Sequence, residues 1–150
     1  MTSLDRIGYL LGKYGDLFLK GVGVTLLLAI VGTAVGLILG LGLALLRNLK
    51  RTPQDARIKT FFKVIASGFA RIYIEVFRGT PMMVQAIIIY FGGKMIGVPW
   101  TYLTCGLFVI SINTTAYMAE IIRSGINGVD IGQMEASRSL GMSNFQAMVY

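Results

Sequence analysis

Asn113, Tyr117 and Glu120 follow one another at spacings of four and three inside a stretch that is otherwise apolar. On a helix this spacing stacks an amide, a phenol and a carboxylate on one face, and Gly106 and Ser124 extend the same face. A polar stripe in such a helix must turn away from hydrocarbon, toward other helices or a water-filled path. There it can bond to neighbouring helices or take over part of the hydration of a passing polar solute, and the spacing leaves both uses open. A second stripe, Lys63, Ser67, Arg71, Glu75 and Arg78, has steps of four, four, four and three. Arg71, Glu75 and Arg78 can pair along it. This helix either enters a protein assembly with its polar face turned from lipid or lies at the membrane interface with that face in water.

Other chemistry is excluded by what is missing. The sequence has no His and one Cys, so a His/Cys metal site and a disulfide framework are both unavailable. Cys105 lies in an apolar run and reads as a small buried hydrophobe. There is no nucleophile–base pair and no paired acid cluster, which speaks against an enzyme. Nor is there a G-x-x-x-x-G-K-[ST] phosphate loop, so ATP hydrolysis is not expected from these residues.

The elements that carry the stripes follow from composition. The 150 residues are 55% hydrophobic and 14% charged, against about 25% charged in soluble chains. No charged residue occurs from Gly21 to Leu46 or from Met95 to Ala119, and each run exceeds the ~20 residues needed to cross a bilayer. A soluble domain and a disordered chain are excluded. The expected fold is an all-α, polytopic transmembrane helix bundle. Spans are expected over 22–46, over 60–92 with a kink near Pro81, and over 100–122. The uncharged segment from Gly79 to Gly93 gives only about 22 Å of helix, short of the ~30 Å hydrocarbon core. The middle span must therefore borrow residues from the second stripe. Thr80–Pro81 reads as a restart, with Thr a cap, Pro suited to a first helical position and Gly79 relaxing the chain.

In the first span Gly32, Gly36, Gly40 and Ala44 recur every four residues, the stripe of a closely packed helix pair. Residues 1–20 read as a separate interfacial helix, with Leu4, Ile7, Leu11, Tyr14 and Phe18 on one face. The formal charge is +7, and its placement beside the apolar runs favours membrane orientation over nucleic-acid binding. Arg47, Lys50, Arg51, Arg57, Lys59 and Lys63 crowd one side of the first span, whereas the next loop carries only Lys94. The positive-inside bias puts residues 47–60 in the cytoplasm and the N-terminus outside, with Pro53 marking a linker. By alternation 128–150 is cytoplasmic again. Asp130 and Gln133 form a capping-box pattern, Gly141 is a stop, and Ser143 with Gln146 forms a second cap. The short helix between them has few large apolar residues and little stability of its own, which suits a helix that docks in a partner's groove.

Three segments resemble a known family. Glu135-Ala136-Ser137-Arg138-Ser139-Leu140-Gly141 resembles the E-A-A-x-x-x-G loop of ABC importer permeases, with Ser137 in place of the second Ala. The run from Glu75 through Arg78-Gly79-Thr80-Pro81 to Gln85 resembles the F-R-G-T-P-x-x-V-Q signature of the polar amino acid branch. Ala116-Tyr117-Met118-Ala119-Glu120-Ile121-Ile122-Arg123 resembles that branch's A-Y-x-A-E-I-x-R stretch. The resemblance implies a permease subunit of an ABC importer in the bacterial inner membrane. Its implied partners are a second permease subunit, an ATPase subunit dimer that holds ATP and Mg, and an extracytoplasmic amino-acid-binding protein. No cofactor is expected on this chain. Met134, Glu135, Ala136, Ser137, Leu140 and Gly141 would form the ATPase-coupling helix. Arg78, Gln85, Asn113, Tyr117 and Glu120 would line the path for a zwitterionic amino acid. Such permeases have about five spans, of which about three are placed here, and the family motif continues just beyond Tyr150. The expectation is a permease domain lacking its last two spans. Two other readings compete: an ion-coupled secondary carrier or channel without an ATPase, and a non-transporting membrane anchor that recruits a cytoplasmic complex.

Overall fold

The computed structural model describes residues 3–48, 56–143 and 146–147. Among the described residues, five helices follow in order: α1 (Ser3–Arg47), α2 (Arg57–Gly79), α3 (Met82–Met95), α4 (Tyr102–Asn127) and α5 (Ile131–Ser139). Among the described residues there are no strands. Two helices, Ile7–Arg47 and Tyr102–Asn127, are long and apolar enough to cross a membrane, and α2 with α3 makes a third crossing if the bent pair counts as one.

The glycine stripe sets the first packing contact. Gly32 lies against Ile110, Gly36 against Thr114, and Gly40 against Met118 and Ala119. Residue numbers rise together on the two helices, so α1 and α4 run parallel. A Cβ on Gly36 would stand 2.7 Å from Thr114 Cβ and 3.1 Å from its carbonyl carbon, which is why the stripe carries no side chains. Two parallel helices need a return segment between them. α3 supplies part of it, because Gln85 meets Asn113 while Tyr90 stacks on Tyr102 with ring centroids 5.2 Å apart. Numbers rise on α3 as they fall on α4, so this pair is antiparallel.

The middle span departs from a single kinked rod over 60–92. α2 and α3 meet at 106°. Pro81 lacks an N–H and pushes the preceding residue out of the helical region, and Thr80 accordingly takes φ −116° and ψ 143°. Thr80 does not cap α3 as expected. Its hydroxyl donates backward to Val76 O at 2.8 Å, while Pro81 stands at the start of α3 without a side-chain cap. At 14 residues, α3 rises about 21 Å. α2 meets α4 through Tyr73, whose hydroxyl donates to Ile112 O at 2.7 Å. Ala44, Ile74 and Ala119, one from each of α1, α2 and α4, form a buried cluster flanked by Leu43, Tyr73 and Ile122.

α1 also differs from expectation. No boundary separates an interfacial helix over 1–20 from a span over 22–46, because one helix of 45 residues continues through Lys20–Gly23. The glycines there cost only about 0.5–1 kcal/mol each relative to Ala and do not stop a helix, and Thr25 Oγ1 bonds back to Gly21 O at 2.9 Å. The helix is about 67 Å long. Nothing approaches Gly8, Gly12, Gly15, Gly21 or Gly23, so its N-terminal half stands clear of α4. The linker expected around Pro53 lies outside the described residues.

α4 starts on Thr101, whose hydroxyl accepts from Thr104 N while Thr104 Oγ1 accepts from Thr101 N at 2.9 Å. It runs to Asn127 rather than ending near 122. α5 starts on Asp130, whose carboxylate accepts from Gly132 N at 2.6 Å; the expected reciprocal bond to Gln133 is replaced by a backbone bond, Gln133 N to Asp130 O. α5 ends in a Schellman arrangement, with Met142 N donating to Ser137 O, Gly141 N to Arg138 O, and Gly141 at φ +78°. Beyond it, Ser143 N donates to Gln146 Oε1 at 2.9 Å and Gln146 N to Ser143 Oγ at 3.3 Å. The rest of any helix after this cap lies outside the described residues.

Close α1–α4 packing makes a differential prediction. Gly36→Leu should destabilise the bundle by about 1–3 kcal/mol through overpacking, whereas Gly42→Ala, with open space around it, should change stability by less than about 1 kcal/mol. Unfolding in mixed micelles would measure both; equal effects would contradict the close packing at Gly36.

Candidate functional site

A helix that stops at a proline leaves carbonyls without partners, and within apolar surroundings each must find a donor. At the α2–α3 break two side-chain amides do this. Gln85 Nε2 donates to Phe77 O and Thr80 O, both at 3.0 Å, and lies 2.7 Å from Thr80 Oγ1. Asn113 Nδ2 donates to Phe77 O at 3.3 Å and to Gln85 Oε1 at 3.1 Å. Gln85 is buried. The two amides therefore join α3 and α4 to the end of α2. Their hydrogen-bonding capacity goes largely to the backbone, leaving little for a solute.

The charged part of the site lies about two turns further along α4. Arg123 holds both oxygens of Glu120, through Nε at 3.2 Å to each and through Nη2 at 2.5 Å to Oε1. Arg47, the last residue of α1, hydrogen-bonds Oε2 of the same carboxylate. Arg78 Nη1, from the end of α2, stands 3.9 Å from that oxygen, and its guanidinium carbon is 5.5 Å from the centre of the Tyr117 ring. The Glu120 side chain retains 18% exposure and that of Arg78 41%, so the carboxylate faces the helices and the Arg78–Tyr117 pair faces outward. Three guanidinium groups and one carboxylate make the cluster electropositive. Among the described residues no three His, Cys, Asp or Glu side chains could hold a metal ion together. The chemistry available is ion pairing and hydrogen bonding.

All five residues expected along a path converge here, in two groups. Gln85 and Asn113 hold the break, and Arg78, Tyr117 and Glu120 form the charged group. Arg78 leaves the α2 stripe to reach Glu120. Arg47 and Arg123 were not foreseen as members. Arg123 had a signal, three residues after Glu120 on the same helix. Arg47 had none, because its partner is 73 residues away and its position at a span end already suited membrane orientation. Of the tail residues, Glu135, Ala136 and Leu140 are exposed, Met134 and Ser137 are half-buried, and α5 has no buried residue.

Residues 56–150 match the model of a family described as the binding-protein-dependent transport system inner membrane component. The chain is 38% identical over 130 residues to the probable amino-acid ABC transporter permease protein YckA of Bacillus subtilis (strain 168), covering 87% of this chain and 52% of that protein. It is 38% identical over 125 residues to the arginine transport system permease protein ArtQ of the same organism, covering 83% and 52%. It also resembles a solved crystal structure of an amino acid ABC transporter with histidines, with a TM-score of 0.73, 40% identity, and coverage of 99% of this chain and 61% of that one. The chain thus spans about half the length of the curated relatives it matches.

Replacing Gln85 leaves Thr80 O without its amide donor, and replacing Asn113 leaves Gln85 Oε1 without one. Gln85→Leu and Asn113→Leu should each cost about 1–3 kcal/mol, and the double variant should cost less than the two together because either single change already breaks the Asn113–Gln85 bond. Denaturant unfolding of the three variants tests this; strict additivity would contradict the shared role.

Proposed function

The chain belongs to the family of binding-protein-dependent transport system inner membrane components, and on that premise we propose that it serves as a permease subunit of an ABC importer for polar amino acids. ATP and Mg are held by a separate ATPase dimer, an extracytoplasmic binding protein delivers the solute, and a second permease subunit completes the pathway.

One observation carries this reading: α5 is a helix with ordered caps at both ends and no buried residue, joined to α4 through only Gly128, Val129 and Asp130. A nine-residue helix is too short to persist by itself, so its exposed face suits a partner's groove. The parallel pairing of α1 and α4 supports the side on which that partner sits. Arg47, Arg123 and α5 gather at one end of the bundle, which the positive-inside bias makes the cytoplasmic end. With that orientation the N-terminus is outside, and residues 47–60 and 128–150 are cytoplasmic.

When the ATPase closes, α5 moves and draws α4 with it as a rigid body. Glu135 orients the docked helix, Ala136 and Ser137 allow close approach, Met134 and Leu140 supply apolar contact, and Gly141 makes the turn. Along the path, Arg78 and Tyr117 are the accessible members, with Glu120 behind them. A guanidinium offers donors to a solute carboxylate, and an aromatic face beside a carboxylate suits its ammonium group. Gln85 and Asn113 shape the path by fixing the break beside it.

In the assembled transporter, Glu135→Lys and Gly141→Asp should lower solute uptake by about tenfold or more, with loss of ATPase co-purification and normal membrane insertion. Retained co-purification and uptake in both would remove α5 from the docking role. Tyr117→Ala should reduce uptake roughly fivefold or more while the ATPase still co-purifies; unchanged uptake would take Tyr117 out of the path.

A further inference from the structure

Beneath the ion cluster three helices meet at two alanines and an isoleucine. Ala44, Ile74 and Ala119 are buried together, one turn or less from Arg47, Arg78 and Glu120 respectively. This contact is apolar and puts no directional bond between the helices. The carboxylate above it has three cationic neighbours, and they do different work. Arg123 is on the same helix as Glu120, three residues on, so it orients the carboxylate and ties nothing across helices. Arg78 stands further off, at 3.9 Å, and is the most exposed of the three. Arg47 is the direct contact between helices, and it terminates α1.

We infer that Arg47 is a positioning residue of the transport cycle: it pins the inner end of α1 to the Glu120 carboxylate, so that α1 and α4 move as one block when α5 is displaced. This rests on the permease reading. The glycine stripe supports it from the other side, because Gly32, Gly36 and Gly40 bring the C-terminal half of α1 into close contact with α4 but themselves place no polar group between the two. The ion pair at the end supplies a fixed point. A guanidinium suits the task because it stays charged and offers its donors in a rigid fork, while a lysine would bind the carboxylate as a mobile point charge.

The test uses spin labels at Leu45→Cys and Ile126→Cys in a Cys105→Ser background, in the assembled transporter in nanodiscs, with and without ATP. With Arg47 present, the label distance should be narrow and the same in both states. Arg47→Gln should broaden it and make it nucleotide-dependent, Arg47→Lys should fall between, and Arg123→Gln should leave it narrow. Uptake should fall by about tenfold in Arg47→Gln while ATP hydrolysis persists, which is loss of coupling rather than loss of folding. A narrow, nucleotide-independent distance and wild-type uptake in both Arg47 variants would overturn the inference. If Arg47→Gln fails to insert, Arg47→Lys alone decides. If no ATPase co-purifies with the unsubstituted protein, the permease reading fails, and the width of the distance distribution in the permease alone still judges the α1–α4 tie.

Discussion

Where a helix stops or carries a charge inside hydrocarbon, its polar groups have to find partners within the protein, because hydrocarbon offers none. Two places make that demand acute: the carbonyls released where α2 stops at Thr80–Pro81, and the carboxylate of Glu120. The first is answered by Gln85 of α3 together with α4, the second from α4 outward. Asn113 reaches the freed Phe77 carbonyl and the Gln85 amide, and Glu120 gathers guanidinium groups from α1, α2 and its own helix. The polar residues of α4 are therefore the fastenings of the bundle, and the apolar packing is arranged around them.

α4 is thereby the spine to which the other elements attach. α1 lies along it through glycines, α3 returns beside it in the opposite direction, and α2 abuts it between Ile112 and Glu120. A displacement applied to α5 enters the bundle through α4 and reaches α1 and α2 at the Glu120 cluster first. The break at Pro81 sits next to that cluster, so the 106° bend lies where such a displacement would arrive.

Period and residue type made part of this legible. A four-residue glycine repeat has one use in a membrane helix, close approach of another backbone, and the structure puts α4 there. Spacing put Asn113, Tyr117 and Glu120 on one face. It could not divide their roles, since that division depends on Gln85 and Phe77 in a different segment. Pro81 announced an interruption, but a bend of 106° depends on what receives the freed carbonyls, and no local pattern encodes that. The separation expected between residues 20 and 22 relied on the onset of charge. Charge changes what surrounds a helix without ending it, and no proline stands there to break the backbone ladder. Arg47 was hidden for a simpler reason: a basic residue at a span end satisfies the orientation rule, so nothing called for a second explanation.

The account turns on α5 as the place where the energy source takes hold of α4. A photo-reactive residue introduced at Ala136, in the assembled transporter embedded in membranes, reads this directly. The account predicts a cross-link to the ATP-hydrolysing subunit that persists in the resting and ATP-bound states. Cross-links to lipid alone, or to other parts of the permease with the ATPase left unmodified, would contradict it.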